Sequence, residues 1–381
     1  MKIVVAPDSF KGSLSALQAA EAIELGIGKV FPDANIKKIP MADGGEGTAQ
    51  SLVDATGGQL LVERVADPLG NEIEAEYGIL GDRTTAVIEM AAASGLTLVP
   101  IDRRDPFVTT TYGTGQLIKA ALNRGCRKLI IGIGGSATND GGAGMAEALG
   151  AKLLTSNGKS ISPGGWGLGA LDTINLSDLD SRLGATATVV ACDVDNPLTG
   201  TNGAAHVYGP QKGATPEMIE ILDANLARFA SIVKRDMGKS VGDIPGSGAA
   251  GGLGAGLIAF LNAELKSGVE IIIDAVQLEK QLEGASFVVT GEGEINFQTV
   301  FGKTPVGVAK LAKKLGIPAI AIAGSIADGA DEVHKAGIDA VIDIVPTPMP
   351  LERAVRNAFD LTVEAATRAA RFISIGMSIS E

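Results

Sequence analysis

Five short stretches set carboxylates among glycines, each after a run of strand-like residues. They hold Asp8, Asp43 with Glu46, Asp140, Asp193 with Asp195, and Glu292 with Glu294. Carboxylates at such corners can hold a divalent cation or take a proton, and glycines let backbone N–H groups approach an anion. The fullest example runs from Thr290 to Val306. Glu292 stands there between Gly291 and Gly293, directly after the buried-strand run Ala285–Val289, and Gly302-Lys303 opens a helix-patterned segment beginning near Pro305. The N–H groups of a helix start would face an anion, and Glu292 would hold a metal ion that phosphates also touch. Phe297 stands where the first glycine of a Walker A loop belongs, which excludes the ordinary P-loop.

Lys11, Lys212 and Lys303 lie inside or beside these loops. A phosphoryl group in transfer needs positive charge on its equatorial oxygens, which a lysine near a helix start supplies. Gly134-Gly135-Ser136 follows the strand-like run Leu129–Ile133 and, with Thr138, makes a candidate phosphate cradle. Read as a dinucleotide fingerprint the same segment fails, because no Asp or Glu follows at the distance needed to hold a ribose. His206 and His334 are the only histidines, and no Gly-x-Ser-x-Gly elbow occurs. A Ser-His-Asp hydrolase or a His-based zinc site has almost nothing to draw on, so proton transfer falls to a carboxylate.

The elements that must carry these loops read as α/β. Lys2–Ala6 is a buried strand, followed by a helix with apolar positions Leu17, Ala20, Ile23, Ile27 and Val30. Ser15 with Gln18 makes a capping box. Ile36–Ile39 is a second strand, so the chain opens as β-α-β with a parallel sheet. Leu60–Val65, Glu72–Leu80 and Thr84–Met90 are strands joined by the turn sequences Asp67–Asn71 and Gly81-Asp82, an antiparallel meander. Helices are expected at 115–123, 144–149, 215–237 and 251–262, alternating with strands at 128–133 and 188–191. After Ala285 the β-α-β rhythm returns, with strands at 287–289, 319–323 and 340–344, helices at 306–315 and 330–336, and a last helix at 351–372. The simplest assembly is a five-stranded parallel sheet built from residues 1–60 and 286–381, with 61–285 inserted as a second, mixed α/β domain and the active site expected in the cleft between them.

The bulk properties narrow the partners. A net charge of -12 without a basic run excludes most nucleic-acid binders, which need Lys and Arg against phosphates. The longest apolar runs fall short of a membrane span, and the N-terminal run is too short for a signal peptide. Cys126 and Cys192 lack zinc-site spacing, as expected of a reduced cytoplasmic protein.

Several of these stretches are recognisable together. Ala6-Pro-Asp-Ser-Phe-Lys-Gly-Ser13, Pro40-Met-Ala-Asp-Gly-Gly-Glu-Gly-Thr48 and Gly134-Gly-Ser-Ala-Thr-Asn-Asp-Gly-Gly142 resemble motifs of the bacterial type I glycerate kinase family. So do Ala191-Cys-Asp-Val-Asp-Asn-Pro-Leu198, Gly209-Pro-Gln-Lys-Gly213, Gly246-Ser-Gly-Ala-Ala-Gly-Gly-Leu253 and the stretch from Thr290. The resemblance implies ATP-dependent phosphorylation of D-glycerate to 2-phosphoglycerate, and two α/β domains of which one, made from both chain ends, is flavodoxin-like. Under it, Asp193 is the first choice for orienting or deprotonating the substrate hydroxyl and Asp43 the alternative. Lys11, Lys212 and Lys303 are candidates for the phosphates or the substrate carboxylate, and Asp8 and Glu292 for Mg²⁺. The chain departs from the family pattern at Asn296, where Asp is usual; an asparagine cannot act as a base or supply full charge to a metal. An NAD-linked oxidoreductase of small hydroxy acids and a non-catalytic small-acid binding protein are the rival readings. The sequence does not fix an oligomeric state.

Overall fold

The structure, a computed structural model, describes residues 1–300 and 302–380. In chain order it begins with β1 (Lys2–Val5), α1 (Ala16–Gly28), β2 (Asn35–Lys38) and α2 (Thr48–Thr56). There follow β3 (Gln59–Ala66), β4 (Glu72–Ile79), β5 (Thr85–Glu89), α3 (Ala91–Ser94), α4 (Tyr112–Asn123), β6 (Lys128–Gly132), α5 (Ala143–Ala148), β7 (Lys152–Leu154) and β8 (Thr173–Asn175). Next come β9 (Ala187–Ala191), α6 (Ala204–Tyr208), α7 (Pro216–Met237), α8 (Leu253–Leu261), β10 (Glu264–Lys266), α9 (Gly268–Ala275) and α10 (Leu278–Leu282). The chain closes with β11 (Phe287–Ile295), α11 (Thr304–Lys314), β12 (Ala319–Ile326), α12 (Glu332–Lys335), β13 (Ala340–Asp343), α13 (Leu351–Arg356) and α14 (Ala358–Ser380).

The chain divides into two compact units. The first comprises Met1–Asp43, Gln50–Gly57 and Val269–Glu381, and the second Gly44–Ala49 and Gly58–Gly268. Residues 269–285, expected in the inserted domain, thus belong with the chain ends. The reason is local packing: Gly307 of α11 abuts Val269, and Lys314 pairs with Glu279 at 3.1 Å.

In the first unit, β2-β1-β11-β12-β13 form a wholly parallel sheet. Numbered along the unit this is the order 2-1-3-4-5 of flavodoxin-like folds, in which ligands bind at the switch point between the first and third strands. The inner strands β1 and β11 are mostly buried hydrophobic runs, as the centre of a parallel sheet requires, whereas the edge strand β2 alternates exposed and half-buried residues. Helix α1 starts at the capping box read from the sequence, with Gln18 N–H donating to Ser15 Oγ at 3.1 Å and Ser15 N–H to Gln18 Oε1 at 2.9 Å. Its buried face, including Ile23 and Ile27, packs against α14. A β-carbon at Gly26 would lie 2.4 Å from the Val363 carbonyl, so any larger residue there would separate the two helices.

The second unit contains a mixed sheet in the order β10-β9-β6-β5-β4-β3. The expected meander is its β3-β4-β5 edge, where both pairings are antiparallel. Asp67 shapes the first turn by accepting from the N–H groups of Leu69 (2.8 Å) and Asn71 (2.9 Å). Asp82 shapes the second by accepting from Thr84 and Thr85. The helix expected from Gly251 begins instead at Leu253. Ala250, Gly251 and Gly252 all have positive φ, which a right-handed helix cannot include.

Candidate active site

Three adjacent parallel strands end at one edge of the first unit's sheet, and their continuations run side by side. Asp8 N–H donates to the Gly291 carbonyl (2.8 Å) and Met41 N–H to the Pro7 carbonyl (2.9 Å). This brings Asp8, Lys11, Asp43 and Glu292, far apart in sequence, to the switch point between β1 and β11.

Asp8 is buried. Its Oδ1 accepts from Ser9 N–H at 2.6 Å, and its Oδ2 from the hydroxyl of Thr304, the first residue of α11, at 2.8 Å. Burial and the nearby charge of Asp43 push its carboxyl up to about 6, against these hydrogen bonds and Lys11. Glu292 is also buried; Thr299 Oγ1 donates to its Oε1 at 2.7 Å and Lys303 Nζ to its Oε2 at 3.2 Å. Burial raises this carboxyl too, with Thr299 and Lys303 opposing. Nearer solvent, Lys11 Nζ lies 3.4 Å from Asp43 Oδ2. Burial alone would lower the Lys11 ammonium, but Asp43, Asp8 and Glu292 outweigh it and hold it above the ordinary lysine value.

These residues line one cleft of about 580 Å³, within the usual range for small-molecule sites. Gly293, Glu294, Asn296 and Gln298 also line it, as do the apolar residues Ile344, Val345, Met349, Leu351 and Val355. Among the described residues no group of three or more His, Cys, Asp or Glu is arranged to hold a metal ion. Asp8 and Glu292 nevertheless suit a cation that arrives with a ligand. Both are desolvated carboxylates with raised values, and their oxygens keep lone pairs free for such a cation.

Three expectations change here. Gly291 and Gly293 lie within β11, which extends past the expected end at Val289 to Ile295, and neither has a positive φ. They are glycines because the next backbone is close: a β-carbon at Gly291 would meet the Ile322 carbonyl at 2.2 Å. The anion-facing N–H groups of this stretch are left to the start of α11, where Pro305 fits the first turn and Lys303 is the N-cap.

The loop after β6 differs more. Its helix, α5, is short, and the chain's own Asp140 fills its N-terminus, accepting from the N–H groups of Gly142 (3.0 Å), Gly144 (3.2 Å) and Thr111 (2.8 Å). Gly134, Gly135 and Ser136 lie upstream of this internal anion. Lys212 does meet Ser136, but from inside: it is 1% exposed, and its Nζ donates to Ser136 Oγ (2.8 Å) and the Thr138 carbonyl (2.7 Å). Burial pulls its ammonium down to about 7 despite Asp140. Glu147, raised to about 7 by burial and then by Asp140, shares this region. Thus Lys212 ties two loops of the second unit together. Asp193, also in the second unit, accepts from Gly268 N–H at 3.0 Å.

The third change concerns Asn296. Its amide donates to Glu294 Oε1 at 2.7 Å, and its Oδ1 accepts from Gln298 N–H at 2.9 Å. The side chain therefore builds the turn after β11, a task that suits asparagine. Sequence reasoning missed Thr299 and Thr304, the hydroxyls that fix the two buried carboxylates; the Gly-Lys-Thr-Pro run was the available signal for the second. It also missed the apolar wall.

A flavodoxin-like sheet with carboxylates, lysines and a helix start gathered at its switch point defines an α/β protein built to act on a small anionic ligand. The sequence comparison is narrower: the profile of the glycerate kinase family matches residues 3–374, and the chain belongs to the glycerate kinase family. It is 55% identical to the glycerate kinase of Bacillus subtilis (strain 168), over 100% of this chain and 99% of that one. It is 52% identical to the glycerate 2-kinase of Escherichia coli (strain K12), over 99% of each chain. A crystal structure from Salmonella typhimurium LT2, provisionally named glycerate kinase 2, superposes with a TM-score of 0.93 at 52% identity, covering 99% of each chain.

Proposed function

We propose that this chain transfers the terminal phosphoryl group of ATP to the 2-hydroxyl of D-glycerate, giving 2-phosphoglycerate. The observation that carries the reading is the Lys11–Asp43 pair lining one cleft with the buried carboxylates Asp8 and Glu292 and the half-buried Lys303. The product position is supported by the name of the Escherichia coli relative.

Phosphoryl transfer asks mainly for positioning and charge stabilisation. Asp43 accepts a hydrogen bond from the substrate hydroxyl and takes its proton as the bond to phosphorus forms. Asp193 in the second unit competes for this role, and the two are separated by replacing each with asparagine. The Lys11 ammonium, kept charged by its carboxylate neighbours, lies against the equatorial oxygens of the transferring group. Lys303 and the start of α11 hold the polyphosphate. Mg²⁺, with Asp8 and Glu292 as its protein oxygens, would supply the charge neutralisation that these carboxylates otherwise deny a polyanion. Both cysteines are free, and among the described residues no helix is long and apolar enough to cross a membrane; a cytoplasmic place suits both facts.

The test is ADP release with D-glycerate, ATP and Mg²⁺, with the product identified by ³¹P NMR. Glycerate-dependent release and a 2-phosphoglycerate resonance are expected. Nicotinamide absorbance changes in its place would favour the oxidoreductase, and glycerate binding without ADP release the binding protein.

A further inference from the structure

The cleft of the first unit has two unlike sides, and a small acid accounts for only one of them. Asp8, Lys11, Asp43, Glu292 and Lys303 make the charged side. The same cleft is also lined by Ile344, Val345, Met349, Leu351, Val355 and Ala358, from the end of β13, the proline-rich segment after it, α13 and the start of α14. Ile344 and Ala358 are buried into the core and form the base of this wall. Leu351 and Val355 stand out from it, 78% and 39% exposed, one turn apart on α13. Pro346, Pro348 and Pro350 stiffen the segment leading to Leu351 by fixing φ, so the wall is preformed.

D-Glycerate carries two hydroxyls and a carboxylate and has no surface to place against such a wall. A ligand matching both sides must be charged at one end and flat and apolar at the other. A nucleoside triphosphate has that shape, with phosphates for the lysines and a purine face for aliphatic side chains. We propose that the wall formed by Ile344, Met349, Leu351 and Val355 is the base-binding subsite for the phosphoryl donor, with Leu351 and Val355 covering the purine. This rests on the kinase reading above and adds to it the place of the base and the residues that select it. The phosphates then run from the wall past Lys303 toward Lys11 and Asp43, and glycerate is left with the charged end.

The experiment compares the parent with Leu351→Asp/Val355→Asp, two substitutions at exposed positions that leave the core intact. Removing two apolar contacts and adding charge should raise the KM for ATP about ten- to hundredfold, with the KM for D-glycerate within about twofold. Two inhibitors separate base from phosphate. Adenosine should compete with ATP in the parent and lose at least about tenfold in the variant, whereas tripolyphosphate should inhibit both about equally. An active parent whose variant keeps its KM for ATP and its inhibition by adenosine overturns the subsite and leaves the kinase reading standing. A parent with no glycerate-dependent ADP release overturns the kinase reading. Calorimetric titration with ADP then decides the subsite alone: weaker binding to the variant supports it, and equal binding overturns it.

Discussion

Asp8 occupies a place that disfavours its own charge, so removing the charge should stabilise the fold while impairing the site. Burial beside Asp43 raises its carboxyl from 3.8 to about 6. A carboxyl raised in the folded state contributes stability that is fully present below its unfolded value and is lost as pH rises through its folded value. The window runs from roughly pH 4 to pH 6, and above it the folded protein carries an ionised, desolvated carboxylate. The shift amounts to ~3 kcal/mol at pH 8 but only ~1.5 kcal/mol at pH 5, where the folded carboxyl is still mostly protonated. Asparagine fits the same space and its Oδ1 keeps one of the two hydrogen bonds now made from Ser9 and Thr304. Losing the other costs ~1 kcal/mol. Asp8→Asn should therefore be more stable than the parent by ~2 kcal/mol at pH 8 and by ~0.5 kcal/mol at pH 5. Urea unfolding of both proteins at the two pH values, followed by circular dichroism, measures this, and glycerate-dependent ADP release should fall about a hundredfold in the same variant. A variant no more stable than its parent at pH 8, or equally favoured at both pH values, would refute the reasoning.

Lys11→Met should lower kcat about a hundredfold by removing positive charge from the transferring group, with an unchanged thermal midpoint, as steady-state kinetics and calorimetry will show. Lys212 has the opposite sign from Asp8. Its folded value is depressed to about 7, so the charged form is penalised most at low pH and the penalty eases as pH rises toward the unfolded value. Between pH 6 and pH 9 the parent should gain ~2–3 kcal/mol on Lys212→Met, read from parallel urea titrations, because only the parent carries that penalty. Asn296→Asp would set a second carboxylate beside Glu294 in place of a hydrogen bond. It should destabilise by ~0.5 kcal/mol, read from urea unfolding, and change kcat less than about tenfold, since the residue shapes a turn.

The sheet of the first unit was legible because all its strands but the edge strand β2 begin as short hydrophobic runs, and the meander because Asp67 and Asp82 stand in turn sequences. The gathering of Asp8, Asp43 and Glu292 was also legible, since Asp8 and Asp43 follow strands of one parallel sheet and Glu292 lies in the later half of a third. Tertiary contacts hid the rest. A Gly-Glu-Gly run reads as a loop, yet the approach of the Ile322 carbonyl makes Gly291 a strand residue. Lys212 reads as a phosphate ligand until burial turns its ammonium toward Ser136 and Thr138. Asp140 looks like a site carboxylate but satisfies the N–H groups a phosphate would have used. The apolar wall combines a strand end, a proline-rich segment and two helix starts, and no local pattern marks such a surface.

The kcat of Asp43→Asn for glycerate-dependent ADP release, set beside that of Asp193→Asn, bears most directly on where the chemistry happens. If the Lys11–Asp43 pair is the reacting centre, Asp43→Asn loses about a hundredfold or more in kcat while retaining nucleotide affinity and a normal thermal midpoint. A folded Asp43→Asn enzyme with full kcat, and Asp193→Asn carrying the loss instead, would contradict it.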